Sequence, residues 1–347
     1  MSDSIILGIE SSCDDTSAAI IQGNKILSNI AANQEIHNDY GGVVPELASR
    51  AHQQNIIPVV EKSVSKANIQ QKDISAVGFT RGPGLLGSLL VGTSFAKSLA
   101  MSLNVPLIEV NHLQAHILAH FIDDANIAPP PFPFLCLTVS GGHTMIVLVK
   151  DYFDMEIIGK TIDDAAGEAF DKIGKIFNLD YPAGPIIDKL AKNGDQNAFT
   201  FSKPRLEKYD YSFSGVKTSV LYFIQKEIKK NPEFIKENIE NLAASVQKTI
   251  VEILMNKLEK VAKDYNISHI AIAGGVSANS GLREAMTKNE DKLGWNIYIP
   301  KFEYTTDNAA MIAMVAKLKY DRGEFTDLSV SATARYDIEE SFKKKSE

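Results

Sequence analysis

Cysteines and long apolar runs are scarce in this sequence. Only two of the 347 residues are cysteines, Cys13 and Cys136, and neither has a second cysteine at metal-binding spacing. A disulfide framework and a cysteine-bound metal are therefore not expected. No apolar run approaches the roughly 20 residues that cross a bilayer, and residues 1–4 do not begin a secretion signal. These absences predict a cytoplasmic protein without a membrane segment.

Two phosphate-binding motifs are also missing, and basic residues are not in excess. Neither Gly-x-x-x-x-Gly-Lys-Ser/Thr nor Gly-x-Gly-x-x-Gly occurs, which disfavours P-loop and Rossmann proteins. The 36 basic residues are outnumbered by 43 acidic ones, for a net charge of −7. A broad nucleic-acid-binding surface is normally basic. Binding to RNA would therefore depend on a local patch, such as the lysines and arginine of residues 203–217, or on a basic partner.

What the chain does contain is a repeated order of strands and turns. Residues 5–12 and 17–21 are apolar runs separated by a polar turn, and residues 134–139 and 145–148 repeat that pattern. Each pair is followed by a strand that ends in a glycine turn, by a helix, and by a final strand with its own helix. Alternating strands and helices predict an α/β protein, and 347 residues exceed what one core usually supports. The sequence therefore predicts two duplicated α/β lobes.

The duplication also indicates where the two lobes begin and end. Residues 1–115 form the predicted lobe I, which a C-terminal helical segment at about residues 308–347 rejoins. Residues 116–307 form the predicted lobe II, with a helical insertion at about residues 180–265. If a pseudo-twofold axis relates the halves, equivalent strand ends meet in a cleft between the lobes.

Two histidines follow the final strand of the first half, and an aspartate follows the final strand of the second. His112 and His116 are four residues apart, so on a helix they share a face and both reach one metal ion. Asp307 occupies the matching place after residues 295–300. Two histidines on a helix face are by themselves often structural. The matching position of Asp307 favours a metal site built from both halves.

Three glycine-rich turns follow strands and are candidates for holding phosphate. They start at Arg81, Ser140 and Gly274. Glycines let backbone N–H groups approach an anion closely, and a serine adds a hydroxyl. A single such turn in a hairpin is usually only a turn, but three at strand ends favour a nucleotide site. Asp171 shares an acidic helix face with Asp164 and Glu168, which could bind ribose hydroxyls, although a solvated face is favoured. Gly184 and Asp188 follow a turn that opens a helix, where a sugar contact and a purely structural use both remain open.

An ordered set of motifs resembles the universal tRNA threonylcarbamoyladenosine transferase family. The motifs are individually weak but jointly specific, and they extend from Ile5 to about Ala334. They are residues 8–16 (GIESSCDDT), 81–84 (RGPG), 111–116 (NHLQAH), 139–144 (VSGGHT), 213–218 (FSGVKT), 274–279 (GGVSAN) and 306–308 (TDN). The resemblance implies an α/β protein with two duplicated lobes of the actin-like, sugar kinase and Hsp70 ATPase fold, and a nucleotide and metal cleft between them.

The resemblance also implies an activity. The family transfers the threonylcarbamoyl group from threonylcarbamoyl-adenylate to N6 of the adenosine 3′ of the anticodon, in tRNAs that read codons starting with A, and releases AMP. Its metal ion is Fe2+ or Zn2+, and imidazole and carboxylate ligands suit either ion. Bacterial members are similar to subunits that work with a smaller paralogous subunit of the same fold and with a P-loop ATPase.

Carried over residue by residue, the resemblance implies two sets of site residues. His112, His116 and Asp307 match the metal ligands. The residues that match adenylate-binding positions are Thr138, Val139, Ser140, Gly141, Gly142, Asp171, Gly184, Asp188 and Asn279. No general base is assigned. Thr138 stands where archaeal and eukaryotic relatives have a tyrosine ligand, which favours the bacterial branch, and Ala183 replaces a glycine of the usual Tyr-Pro-Gly-Gly-Pro.

Two other functions compete with this one. A metalloprotease would use His112 and His116 as zinc ligands, but the three residues between them lack the glutamate of the His-Glu-x-x-His motif. A non-catalytic nucleotide-binding scaffold, similar to the smaller paralogue, would keep the fold and lose the metal ligands. Because all three ligands are present, the sequence favours the catalytic subunit.

Overall fold

The computed structural model divides the chain into two compact units. It describes residues 4–32, 34, 37, 40–123, 128–204 and 206–339. Unit 1 comprises Met1–Pro130, Tyr152–Asp154 and Pro300–Glu347, and unit 2 comprises Pro131–Asp151 and Met155–Ile299. The predicted lobes divide at residues 115 and 307, whereas these units divide at about 130 and 300. Both His116 and Asp307 consequently belong to unit 1.

The sheet of unit 1 combines a hairpin meander with two parallel strands. Its strands are β1 (Ile5–Glu10), β2 (Thr16–Gln22), β3 (Lys25–Ala32), β4 (Ala76–Gly82) and β5 (Leu107–Asn111). They lie in the order β3-β2-β1-β4-β5. β2 is antiparallel to β1 and β3, while β4 is parallel to both β1 and β5. β1, β2 and β4 are buried over nearly their whole length, which agrees with their continuous apolar sequences.

The sheet of unit 2 repeats that arrangement. Its strands are β6 (Phe134–Val139), β7 (Thr144–Asp151), β8 (Asp154–Lys160), β9 (His269–Ala273) and β10 (Asn296–Tyr298). Their order, β10-β9-β6-β7-β8, is the order of the first sheet read from the other edge. β7 is antiparallel to β6, and β9 is parallel to both β6 and β10. The internal duplication that the sequence predicts is therefore present in the strand topology.

Nine α-helices complete the described part of the chain. They are α1 (Pro45–Lys66), α2 (Leu86–Leu103), α3 (His112–Leu118), α4 (Ala166–Ile176), α5 (Ala183–Ala191), α6 (Ser214–Ile228), α7 (Phe234–Tyr265), α8 (Ser280–Leu293) and α9 (Ala309–Asp321). α1, α2, α3 and α9 belong to unit 1, and the other five belong to unit 2. Among the described helices, α2 is long and apolar enough to span a membrane by length and composition, with a mean hydropathy of 1.3. Its residues Ala96 and Ala100 lie in the core of unit 1.

Helices cover both faces of the first sheet. α1 and α2 pack against one face, where their apolar side chains join Leu7 and Phe79 in one core cluster. α9 packs against the face that carries Gly8 and Gly78. A Cβ atom at Gly8 would lie 2.5 Å from the backbone nitrogen of Ala313. The glycine thus allows α9 to sit directly on β1, and this close packing places the residues just before α9 beside the ends of β1 and β5.

Helices α4 to α8 form the core of unit 2 with the second sheet. α5 packs against α4 and α7, and α6 packs against α4 and α7 as well. Their buried apolar residues belong to one cluster with the β6 residues Leu135 and Leu137. α5, α6 and α7 all fall within the predicted helical insertion at about residues 180–265.

Candidate metal and substrate sites

The short helix α3 presents His112 and His116 from the end of a strand. β5 ends at Asn111, whose side-chain oxygen accepts hydrogen bonds from the backbone N–H groups of Leu113 (2.9 Å) and Gln114 (3.2 Å). This N-cap satisfies two of the amides that a helix start leaves free. The Asn111 amide also donates to the backbone oxygen of Tyr336 at 3.0 Å. The first turn of the helix, and with it His112, is therefore held in place from two sides.

Asp307 lies beside these histidines because it precedes α9, which packs against their helix. Asn308 caps α9 by accepting a hydrogen bond from the N–H of Met311 at 3.1 Å, which fixes the residue before it. α9 packs against α3 as well as against the first sheet. The sequence analysis placed Asp307 in the second lobe, but the structure places it in unit 1 with both histidines. The reason is that the helix after the last strand packs on the sheet of unit 1.

Three ligand atoms converge at this point. His112 Nε2 lies 3.2 Å from His116 Nε2 and 3.4 Å from Asp307 Oδ1, and His116 Nε2 lies 3.1 Å from Asp307 Oδ1. A tetrahedral metal ion with bonds of roughly 2.0–2.1 Å separates its ligand atoms by about 3.3 Å. The triangle therefore matches three positions of one ion. The side chain of Asp307 is 27% exposed while His116 is fully buried, so the aspartate side is open to a further ligand.

The charges of this cluster stabilise each other. Burial alone would raise the pKa of Asp307, but His112 and His116 hold it well below its usual range. Burial alone would lower the pKa of His112, but Asp307 and Glu10 raise it well above its usual value. An anionic carboxylate beside imidazoles is the donor set that a divalent transition-metal ion prefers. The residues present therefore fit the predicted Fe2+ or Zn2+.

Glu10 is a member of this cluster that the sequence analysis did not single out. It ends β1, is completely buried, and accepts hydrogen bonds from the Thr80 hydroxyl at 2.7 Å and from the backbone N–H of Ser12. Its Oε2 also lies 3.1 Å from His112 Nδ1. A carboxylate that ends an otherwise apolar buried strand was the available signal, because such a charge needs partners in the fold.

The loop after β1 places a further carboxylate, that of Asp15, near the cluster. Burial, and then the negative charges of Asp14, Asp307 and Glu10, raise the pKa of Asp15 to about 7. His52 on α1 holds this loop, since its ring nitrogens lie 2.7 Å from the Thr16 hydroxyl and 3.0 Å from the carbonyl oxygen of Cys13. Asp15 therefore exchanges its proton near neutral pH.

The predicted phosphate-binding turn lies between β6 and β7 in unit 2. Ser140 Oγ accepts a hydrogen bond from the N–H of His143 at 3.1 Å, and a Cβ at Gly141 or Gly142 would meet no heavy atom within 4 Å. The N–H of Gly167 at the start of α4 donates to the Ser140 carbonyl at 3.2 Å. The turn thus combines open glycine backbone with a helix N-terminus, an arrangement that favours an anion.

The other two glycine turns differ in their surroundings. Gly274 has a φ of +84°, and a Cβ there would lie 2.5 Å from the carbonyl oxygen of Val139. This turn therefore lies directly beside the Ser140 turn in unit 2. The turn at Arg81 belongs to unit 1, where Gly82 lies against the carbonyl of Thr333 and Gly84 against that of Ser12. Two of the three turns therefore lie side by side within unit 2.

The remaining predicted adenylate-binding residues all lie in unit 2. The side chains of three of them accept hydrogen bonds from residues at the starts of helices. Asp171 accepts a hydrogen bond from the N–H of Ala183 at 2.8 Å at the start of α5. Asp188 accepts from the N–H (3.0 Å) and hydroxyl (2.7 Å) of Ser280, and Asn279 accepts from the N–H of Leu282 at 3.0 Å, both at the start of α8. Gly184 lies in the first turn of α5. These hydrogen bonds show that the residues stabilise helix starts, which is a structural role beside the predicted binding of a nucleotide.

Two predicted residues contribute no side chain to an open surface. Thr138 and Val139 are completely buried, so neither side chain lines an open surface. In the candidate RNA-binding patch at residues 203–217, Lys203 forms an ion pair with Glu252, which weakens its attraction to phosphate. Arg205 of this patch lies outside the described residues.

Solved structures share the fold of this chain. HypF from T. kodakarensis matches 95% of this chain with a TM-score of 0.59 at 13% identity, and full-length HypF in a phosphate- and nucleotide-bound form matches 94% with a TM-score of 0.58 at 13% identity. This chain spans about half of each, 49% and 48%. At that identity the likeness shows the fold alone, the α/β fold of sugar kinases and actin-like ATPases.

Sequence comparison assigns the family within that class. The family model described as tRNA N6-adenosine threonylcarbamoyltransferase matches residues 25–314. Proteins of that name from Riemerella anatipestifer and Christiangramia forsetii are 82% and 62% identical, over 97% and 95% of this chain and 99% and 97% of their own length. A relative of that name from Thermosipho africanus is 49% identical over 96% of the chain and its whole length. The chain belongs to the tRNA N6-adenosine threonylcarbamoyltransferase family.

Proposed function

We propose that this chain carries out the reaction of its family with the two sites described above. It transfers the threonylcarbamoyl group from threonylcarbamoyl-adenylate to N6 of the adenosine 3′ of the anticodon, in tRNAs that read codons starting with A. A bond forms between N6 and the carbamoyl carbon, the bond from that carbon to the phosphate oxygen breaks, and the amine loses a proton as AMP leaves. The observation that carries the proposal is the triangle of His112, His116 and Asp307 in a chain that aligns with 99% of the length of a family member.

One Fe2+ or Zn2+ ion held by His112, His116 and Asp307 belongs to this proposal. When bound, such an ion supplies Lewis acidity to a carbonyl oxygen and orients the group that carries it. The protein contributes the Nε2 atoms of two buried rings and an anionic carboxylate, with one open side at Asp307. Imidazole and carboxylate ligands suit both ions.

Unit 2 is proposed to hold the adenylate. The turn at residues 138–142, through the open backbone of Gly141 and Gly142, and the start of α4 would bind the phosphate, because an open glycine backbone and the helix dipole favour an anion. Asp171, Gly184, Asp188 and Asn279 would bind the nucleoside. An adenine amine is a poor nucleophile since its lone pair is delocalised into the ring. Correct placement of both reactants is therefore a major part of the rate.

The partners and the cellular location are part of the same proposal. A net charge of −7 repels phosphate, so the isolated chain would bind tRNA weakly. We propose that it works in the cytoplasm with a smaller paralogous subunit of the same fold and a P-loop ATPase, as the family resemblance implies. Filter binding across a salt series tests the charge argument. Submicromolar affinity of the isolated chain for tRNA at physiological salt would contradict it.

Mass spectrometry of nucleosides tests the proposed reaction. Unmodified tRNA is incubated with the purified chain, the adenylate and the candidate partners, and threonylcarbamoyladenosine is quantified. We expect the product with the wild-type chain, and its loss with His112→Ala. The control is His269→Ala, a histidine of unit 2 that bonds Tyr298 instead of the metal cluster. The proposal fails if no product forms with the wild-type chain, or if His112→Ala is as active as the control.

A further inference from the structure

Glu10 is a fully buried carboxylate with three hydrogen-bond donors around it. The Thr80 hydroxyl lies 2.7 Å from Oε2, the backbone N–H of Ser12 points at Oε1, and His112 Nδ1 lies 3.1 Å from Oε2. A buried charge without such partners would be strongly destabilising. These contacts leave the carboxylate no freedom to turn toward solvent, so it acts on its neighbours and not on a bound molecule.

The contact with His112 decides which ring nitrogen is free. A carboxylate accepts hydrogen bonds, so the His112 nitrogen facing Glu10 must carry a proton. Nε2, on the opposite side of the ring, then offers its lone pair toward His116 and Asp307 once its own proton has left. The Ser12 hydroxyl, 3.2 Å from the same Nδ1, lies on the same side of the ring and supports this orientation.

The two histidines of the triangle differ in this respect. His116 is completely buried, and its Nδ1 has no hydrogen-bond partner among the described residues. Its ring is placed by packing and by the contacts of its Nε2 with His112 and Asp307. His112 is thus the ligand whose orientation depends on a carboxylate.

We propose that Glu10 is a positioning residue for the metal site. It holds His112 with the proton on Nδ1 and aims Nε2 at the place where the ion would bind beside His116 and Asp307. Carboxylate partners of metal-bound histidines commonly act in this way, and their loss weakens metal binding about 10- to 100-fold. The inference rests on the proposed metal site of His112, His116 and Asp307, and adds to it a residue that does not touch the ion.

Zinc affinity of metal-depleted protein, measured by competition with a chromophoric chelator, tests the proposal. We expect Glu10→Gln to weaken binding about tenfold and Glu10→Ala up to about 100-fold. The matched control is Glu109→Gln, since Glu109 lies in the same sheet but pairs with Arg81 at 2.7 Å. Its zinc affinity should equal that of wild type. A folded Glu10→Gln protein with zinc affinity within about twofold of the control would overturn the proposal.

A second measurement separates positioning from a purely structural role. In the zinc-loaded wild type, nitrogen-15 NMR should show His112 with a metal-bound Nε2 and a protonated Nδ1 whose hydrogen resonates far downfield. In Glu10→Gln that hydrogen should move upfield and exchange faster with water. An unchanged Nδ1–H signal would contradict the inference, even if the variant were less stable. If Glu10→Ala does not fold, the zinc affinity and the NMR signal of Glu10→Gln alone test the proposal.

The proposed metal site has its own test, so the two failures can be told apart. His112→Ala should lose zinc regardless of Glu10. If His112→Ala keeps wild-type zinc affinity, the ligand assignment is wrong. If His112→Ala loses zinc while both Glu10 variants keep it, only the role of Glu10 is wrong.

Discussion

His116 Nε2 lies 3.1 Å from Asp307 Oδ1, although 191 positions separate the two residues in the chain. Two caps bring them together: Asn111 starts the helix of His116, and Asn308 starts the helix that follows Asp307. Both helices pack together in unit 1. The proposed metal site thus depends on the packing of α9 against the first sheet.

The first prediction concerns that packing. Gly8→Ala would place a Cβ 2.5 to 2.8 Å from backbone atoms of Ala309 and Ala313, so α9 must shift. We expect a loss of about 1–3 kcal/mol in unfolding free energy, together with weaker zinc binding as Asp307 moves. Denaturant unfolding and zinc titration measure both. Gly215→Ala is the control, since no heavy atom lies within 4 Å of its Cβ position. A Gly8→Ala protein as stable as this control would contradict the packing argument.

The second prediction concerns the pH dependence of metal binding. In the metal-free protein, Asp307 and Glu10 outweigh burial and raise the pKa of His112 well above its usual value. Below that pKa a proton must leave the ring before the ion binds, so apparent affinity falls about tenfold per pH unit. Calorimetric titration at pH 6 in buffers of different ionisation enthalpy counts the protons released. We expect about one proton per zinc bound, and a heat that does not depend on the buffer would contradict it.

The third prediction concerns Asp15 and stability. The pKa of Asp15 is about 7 in the folded protein, above the value of 3.8 for an isolated aspartate. The folded state therefore binds the proton more tightly, and this stabilisation is lost as pH rises from about 4 through 7. The unfolding free energy of Asp15→Asn minus that of wild type should therefore increase from pH 5 to pH 8. Denaturant unfolding of both metal-free proteins at pH 5 and pH 8 measures this change. A difference in unfolding free energy between the two proteins that is the same at both pH values would contradict the raised pKa of Asp15.

The fourth prediction separates adenylate binding from helix capping. Asn279→Ala removes the acceptor of the Leu282 N–H, which should cost about 1 kcal/mol of stability. It should also weaken binding of a non-hydrolysable adenylate analogue, while zinc content stays at the wild-type level. Asp188→Ala should behave in the same way. Isothermal titration with the analogue gives the affinities, and wild-type affinity in both folded variants would limit these residues to a structural role.

Sequence patterns predicted the most apolar parts of the fold best. The paired strands β1 with β2 and β6 with β7 occur where continuous apolar runs predict them. The third strand of each meander, β3 and β8, was not predicted, because both strands are half-exposed and mix polar with apolar residues.

The candidate metal ligands could be found from spacing, but their arrangement in the fold could not. Spacing places His112 and His116 on one helix face. The sequence also predicts that a helical segment at about residues 308–347 rejoins lobe I, but it assigns Asp307 to lobe II and does not show that Asp307 lies with α9 in unit 1. Gly8 and Gly78 permit that return, and their role is visible only from the distances to Ala313 and Ala316. Glu10 was missed for the same reason, because its partners Thr80 and His112 are distant in the chain.

The metal content of purified protein tests the central claim most directly. Wild type, His112→Ala, His116→Ala and Asp307→Ala are produced together with His269→Ala as a control, and iron and zinc are measured by plasma mass spectrometry. We expect about one ion per chain in wild type and control, and little metal in the three ligand variants with their folds retained. Wild-type metal content in folded His112→Ala would contradict the account.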